Sequence, residues 1–195
     1  MLLKKNTKFI VIILFCIILF TLNLITSKNI SPVVKPSYKF DFQNFLMFTF
    51  LVNLVVYLVK IVFIYCIIRL SFFVFDIVPK TSVISVIIIA EIIKLLIVKG
   101  LKIFTFYALD KKMTLEYFKT FEDKYSFYEL FKIDLIDFKY LINFIDVFDI
   151  IYISIIVSLF VVSEKMKTVK VIKVVALPYA LTLFLLGIVK TFMSL

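Results

Sequence analysis

Long apolar stretches occupy most of this chain and limit what it can fold into. A helix that crosses the hydrocarbon core of a bilayer needs about 20 mainly apolar residues. Five stretches meet or approach that length, at residues 9–25, 45–70, 83–106, 147–162 and 174–192. The pattern predicts an all-α fold, a polytopic transmembrane helical bundle of about five spans in which residues 1–195 form a single membrane domain. The fourth stretch is the shortest, so it either crosses the membrane or only re-enters it.

Composition supports the membrane class and argues against binding of nucleic acid. The 195 residues are 64% hydrophobic, whereas soluble domains are about half apolar. The formal charge of +10 comes from lysines scattered between the apolar stretches, with Arg69 as the single arginine. Nucleic-acid-binding proteins cluster their basic residues on one face and read bases with arginine. We therefore expect the lipid bilayer, and no nucleic acid, as a partner.

Basic residues in the short connections predict the orientation of the bundle. Lysines precede the first stretch, and Arg69 and Lys80 bracket the connection between the second and third stretches. Four more lysines lie between the fourth and fifth stretches. With five spans, all three regions fall on one side, and the positive-inside rule makes that side cytoplasmic. We therefore expect the N-terminus in the cytoplasm and the C-terminus outside.

The same topology predicts two outer loops, at residues 26–44 and 107–146. The first contains two prolines, which disfavour helix, so it is predicted to be an extended connector. The second carries aromatic rings at three- and four-residue steps, namely Phe118, Phe121, Tyr125 and Tyr128. This spacing predicts an amphipathic, aromatic-rich segment at the headgroup boundary. It serves either as a lid on the helix ends or as a binding surface.

Lys60 and Glu91 are the most informative polar residues inside the apolar stretches. A charge at the bilayer centre costs about 2.5–3.5 kcal/mol and needs a partner or water. Because the second and third stretches are antiparallel neighbours, we predict an intramembrane ion pair between Lys60 and Glu91. Asn53 and Tyr57 share the helix face of Lys60, and Lys94 is one turn from Glu91 and could compete for it. The pair either fixes how two helices dock or belongs to a proton or ion path.

Small residues predict where the last two stretches pack. Ala176, Ala180 and Gly187 line one face of the fifth stretch. Ser154 and Ser158 line one face of the fourth. Small side chains let helix backbones approach closely inside a membrane. We therefore predict that these two faces meet.

The residue types do not form a pattern typical of catalysis or metal binding. The chain has no histidine, and no glycine-flanked serine or paired aspartates occur in the apolar stretches. Asn143, Asp146 and Asp149 share a face just before the fourth stretch. A divalent cation could bind there, although a solvated helix end is the commoner arrangement. We expect no catalytic residues, no metal and no cofactor.

Four segments, in order along the chain, resemble a known membrane family. They are residues 67–70, 90–96, 141–146 and 173–179. They are similar to small bacterial membrane proteins related to the Yip family. The resemblance implies a compact bundle of five helices. Eukaryotic members act in vesicle traffic, but their Asp-Leu-Tyr-Gly-Pro type of signature does not occur here, so that role is not carried over.

Two hypotheses of function follow. The first is a non-enzymatic protein of a bacterial inner membrane, a scaffold or an accessory subunit of a larger complex, with a membrane-protein partner or a second copy of itself. The alternative is a small permease or ion-translocating subunit that uses Lys60 and Glu91. A hydrated cavity at this pair would favour transport, and a sealed contact would favour a structural role.

Overall fold

The computed structural model describes residues 7–30, 42–108 and 146–193, and these residues are almost entirely helical. The first four helices are α1 (Thr7–Ile30), α2 (Phe42–Val74), α3 (Val83–Ala108) and α4 (Val147–Glu164). The last helix, α5, is continuous and has three parts, Thr168–Val171, a π-helical turn at Ile172–Ala176, and Leu177–Met193. The predicted all-α fold is confirmed for the described part of the chain.

The described helices extend beyond the apolar stretches that predicted them. Helix α1 continues to Ile30 and α2 begins at Phe42, so the first connector is shorter than the predicted 26–44. The reason is that backbone hydrogen bonding does not stop at the end of an apolar run, and residues 26–29 precede the first proline of the connector. The predicted amphipathic helix within the second loop lies outside the described residues.

Three of the described helices are long and apolar enough to cross a membrane. These segments are Met47–Val74, Val147–Glu164 and Thr168–Leu185, and a shorter apolar helix covers Ile10–Ile25. Helix α3 is as apolar on average but carries more charged residues, because Glu91, Lys94 and Lys99 interrupt its apolar sequence. The helices are therefore those of a membrane protein, while five complete crossings stay a prediction.

Helix α3 is at the centre of the packing, in contact with α1, α2 and α4. Its residues Val86, Ile87 and Ala90 are completely buried. In contrast, α2 exposes large apolar side chains along much of its length, among them Val55, Val56 and Val59. An outward apolar face of this kind is stable in lipid or against another protein, because its exposure to water would be unfavourable.

One end of the bundle holds both short turns, between α2 and α3 and between α4 and α5; we name it the turn end. The carboxylate of Glu164, the last residue of α4, accepts hydrogen bonds from the backbone nitrogens of Lys80 at 2.9 Å and Thr81 at 2.7 Å. It also accepts one from the Thr81 hydroxyl. Hydrogen bonds from backbone N–H groups to an ionised carboxylate are strong. Glu164 therefore holds the end of α4 against the turn before α3.

A proline inside α5 is accommodated by a partner from α2. A regular α-helix would bond the carbonyl of Val174 to the N–H of residue 178, but Pro178 has no N–H. The π-helical turn at Ile172–Ala176 ends two residues before this proline, and such turns often accompany bends in helices. The buried Ser71 hydroxyl donates a hydrogen bond of 2.5 Å to the Val174 carbonyl. The serine therefore replaces the missing backbone donor and joins α2 to α5.

Removing the Ser71 hydroxyl is expected to destabilise the bundle only while the proline is present. Ser71→Ala should lower the free energy of unfolding by about 1–2 kcal/mol, because the Val174 carbonyl loses its donor. In a Pro178→Ala background the loss should shrink, because alanine supplies an N–H. The measurement is a double-mutant cycle, with unfolding in mixed micelles followed by circular dichroism. Ser158→Ala is the matched control, since that exposed hydroxyl donates within its own helix. Equal losses in both backgrounds would contradict the replacement.

Candidate functional site

The two residues predicted to pair inside the apolar stretches are in contact. The Nζ atom of Lys60 on α2 lies 2.9 Å from Oε1 of Glu91 on α3. The two partners differ in environment, because the Glu91 side chain is 1% exposed whereas that of Lys60 is 30% exposed. The carboxylate is thus sealed inside the bundle, and the ammonium group reaches it from a more open position.

A second ion pair lies one helical turn further along α3. The Nζ atom of Lys94 is 2.9 Å from Oδ1 of Asp149, in the first turn of α4. Lys94 therefore does not compete with Lys60 for Glu91. It forms a separate ion pair that joins α3 to α4. The packing of α4 beside α3 brings Asp149 within its reach.

The carboxylates at the start of α4 are used by the protein itself. Asp146 is the N-cap, and its side chain accepts a 2.6 Å hydrogen bond from the backbone nitrogen of Asp149. Asp149 returns a contact to the Asp146 backbone, which completes a capping box. Asn143, the third residue of the suggested cation site, lies outside the described residues, and no metal-binding group of side chains occurs among those described.

Tyr152 connects the two ion pairs. The Nζ atoms of Lys60 and Lys94 lie 5.0 Å and 5.8 Å from the centre of its ring, which is within the range of cation–π attraction. The Tyr152 ring is completely buried. We use the name charged network for Lys60, Glu91, Lys94, Asp149 and Tyr152. Its two positive and two negative groups cancel, so the network is neutral.

A cleft of about 290 Å³ opens beside the charged network, between α2 and α5. Its polar lining consists of Lys60, Asp149, Tyr179 and Thr182, and the remaining lining residues are apolar. Tyr179 also packs on Tyr152, with ring centres 6.0 Å apart. We name this space the network cleft. It reaches one member of each ion pair, whereas Glu91 is not part of its lining.

Two buried polar atoms of the network make no hydrogen bond of regular length and angle. They are Oε2 of Glu91 and the hydroxyl oxygen of Tyr152. The two groups nevertheless interact with each other, and a buried polar group that is incompletely satisfied costs up to about 1–3 kcal/mol. This cost makes the pairing of the other Glu91 oxygen with Lys60 more important for keeping the carboxylate inside the bundle.

The other residues of the predicted polar face join α2 to α1. The Asn53 side-chain nitrogen donates a 3.2 Å hydrogen bond to the side-chain oxygen of the buried Asn23 on α1. The Tyr57 ring meets Phe15 edge-on, with centres 6.1 Å apart. Asn53 and Tyr57 therefore hold α1 and α2 together.

The small residues predicted to join α4 and α5 are not brought together by the structure. Ser154 and Ser158 are exposed, and the Ser158 hydroxyl bonds to the Ser154 carbonyl within α4. Ala180 is exposed, Ala176 is half-buried, and the surroundings of Gly187 lie outside what the structure describes. The buried residues of α4 are instead larger, such as Phe160, whose ring packs edge-on against Phe72 of α2 with centres 5.3 Å apart.

Several residues of the site were not predicted from the sequence. They include Tyr152 and Tyr179, and Asp149 was considered only for a cation site and not as the partner of Lys94. The spacing of Asp149 and Tyr152, three residues apart, places both on one face of α4. That spacing, matched with Glu91 and Lys94 three residues apart on α3, is the signal that could have found them.

The chain matches no known protein family, no characterised protein and no solved structure at a significant level. The resemblance to the Yip family therefore stays a prediction.

Removing either partner of the Lys60–Glu91 pair is expected to have unequal effects. Lys60→Met should lower the free energy of unfolding by about 3–5 kcal/mol, because it leaves the sealed Glu91 carboxylate without its partner. Glu91→Gln should cause a smaller loss, because the partner that it leaves unpaired, Lys60, is 30% exposed and not sealed inside the bundle as Glu91 is. Unfolding in mixed micelles measures both, and Lys167→Met, at an exposed lysine, is the matched control.

The reversed pair provides a second check. Combining Lys60→Glu with Glu91→Lys should recover part of the loss, since a pair of opposite sign forms again. A larger loss for Glu91→Gln than for Lys60→Met, or no recovery in the reversed pair, would contradict direct pairing as the stabilising contact.

Proposed function

We propose that this chain is a non-enzymatic integral membrane protein, a scaffold or an accessory subunit of a larger complex in a bacterial inner membrane. One observation supports the structural role most directly: each acid of the charged network has a lysine 2.9 Å away. A transport path needs charged groups that exchange partners with a moving ion or proton. Two complete ion pairs that connect three helices instead hold those helices in one arrangement.

The proposed topology has five spans, with the N-terminus in the cytoplasm and the C-terminus outside. It adds α1 and α3 to the three helices that are long and apolar enough to cross. The turn end supports this orientation, because its exposed lysines would be on the cytoplasmic side under the positive-inside rule. Glu164 brings the two turns to the same end of the bundle.

The proposed contact surface for a partner is the exposed face of α2. Val55, Val56 and Val59 are 58–65% exposed, and they follow one another along this helix. A helix of a membrane-protein partner, or of a second copy of this chain, can pack on such a face through van der Waals contacts.

Purification from native membranes tests the scaffold role. The tagged chain is extracted in mild detergent, and the co-purifying chains are identified by mass spectrometry. We expect a membrane protein in constant ratio to the chain. Val59→Trp should lower that ratio, because a larger ring on the proposed face obstructs packing. Val162→Trp, at a 78% exposed position on α4, is the matched control. Recovery of the chain alone or only with copies of itself would contradict an accessory role.

A second candidate function, a small permease or ion-translocating subunit, is favoured by the network cleft. Its lining includes Lys60 and Asp149, and its volume of about 290 Å³ exceeds that of a few waters. Reconstitution into liposomes with a proton or cation gradient separates the two functions. The scaffold proposal expects no flux above that of protein-free liposomes. Flux that falls in Asp149→Asn, at unchanged stability, would favour the permease.

A further inference from the structure

A groove at the turn end has features that the charged network and the proposed scaffold role do not use. Its volume is about 490 Å³. Its lining combines one arginine, Arg69, one acid, Asp76, and a largely apolar wall that includes Leu70, Phe73 and Val78. We name it the Arg69 groove. It lies along the last turns of α2 and the start of the turn that follows.

Arg69 is available to a ligand in this groove. Its side chain is exposed, and it makes no ion pair within the part of the chain that the structure describes. Its neighbours are apolar and unusually open, with Phe73 82% and Val78 85% exposed. A guanidinium group presents a planar fork of donors that matches the oxygens of a phosphate. Arginine between exposed apolar side chains therefore fits a ligand that is both anionic and apolar.

The surroundings of the groove are strongly basic. Exposed lysines occupy both turns and the start of α5, at Lys80, Lys165, Lys167, Lys170 and Lys173. Two acids lie nearby, but the Glu164 carboxylate is bound to the backbone of the first turn, which leaves Asp76 as the exposed one. The bond between Ser71 and Val174 holds the start of α5 beside the end of α2. The lysines and Arg69 thus share one end of the bundle.

The length of α2 puts Arg69 at headgroup depth. The apolar segment Met47–Val74 has 28 residues, about 42 Å at 1.5 Å per residue, whereas the hydrocarbon core is about 30 Å thick. Arg69 lies five residues, or about 7.5 Å, from the end of that segment. A guanidinium group at this position meets lipid phosphates, and the apolar face of α2 continues from it toward the membrane centre.

We propose that the Arg69 groove binds an anionic phospholipid. The headgroup phosphate accepts hydrogen bonds from Arg69, the acyl chains lie along the apolar face of α2, and the surrounding lysines favour a negatively charged headgroup over a zwitterionic one. The inference depends on α2 being in a membrane and not on the scaffold role, so either can fail without the other.

The absence of tryptophan from the chain allows a direct test. Phe73→Trp places a single tryptophan at the groove, and brominated lipids quench its fluorescence when they touch it. The full chain is reconstituted in vesicles that contain brominated phosphatidylglycerol in phosphatidylcholine, and in vesicles with the bromine on the other lipid. Comparison of the two gives the relative affinity at that position. Phe48→Trp is the matched control, because Phe48 is a 68% exposed ring on the same helix, far from the turn end.

We expect phosphatidylglycerol to be preferred at Phe73→Trp by about fivefold, the factor that one basic residue contributes near an anionic surface. Phe48→Trp should show no such preference. Within the Phe73→Trp background, Arg69→Gln should remove most of the preference, Arg69→Lys should retain part of it, and Asp76→Asn should increase it. Equal quenching by the two lipids at Phe73→Trp, or a preference unchanged by Arg69→Gln, would overturn the proposal.

Discussion

The buried carboxylate of Glu91 on the central helix is the constraint on which the arrangement of the bundle depends. An ionised group in an apolar interior is stable only when an opposite charge lies close by. Lys60 meets that need from α2, and it does so from a partly open position. One turn further along α3, Lys94 forms an ion pair with Asp149 on α4. The charges of a single helix thus determine which faces of its two neighbours turn toward it.

Polar contacts of this kind are found between neighbouring helices throughout the described bundle. Asn23 and Asn53 join α1 to α2, and Glu164 joins α4 to the turn before α3. Ser71 joins α2 to the backbone of α5. In lipid the apolar side chains of a helix gain little by leaving the solvent, because lipid tails are equally apolar. A few hydrogen bonds and ion pairs therefore determine which of many possible helix packings is adopted, because the apolar surfaces alone would permit several.

The sequence predicts some of these contacts and not others, for reasons of chain connection. The contact between Lys60 and Glu91 can be predicted from the sequence, because a short turn joins their helices and fixes their relative depth. Lys94 and Asp149 are separated by the long segment 109–145, so the register between α3 and α4 cannot be counted along the chain. Ser154 and Ser158 are exposed and do not mark a helix contact as predicted. Small side chains are also compatible with a face that contacts lipid, so they do not by themselves identify a packing surface. The helices themselves follow directly from the apolar runs.

Pro178 has a consequence for the order in which the protein is made. A ribosome delivers α2 to the membrane long before α5, because the described helices α3 and α4 lie between them in the sequence. When α5 leaves the insertion machinery, one of its carbonyls lacks the donor that its own backbone would normally supply, and lipid cannot provide it. The hydroxyl of Ser71 is already present on a helix that has been inserted. We therefore expect α5 to complete its own hydrogen bonding only when it docks on α2, a helix that was inserted earlier.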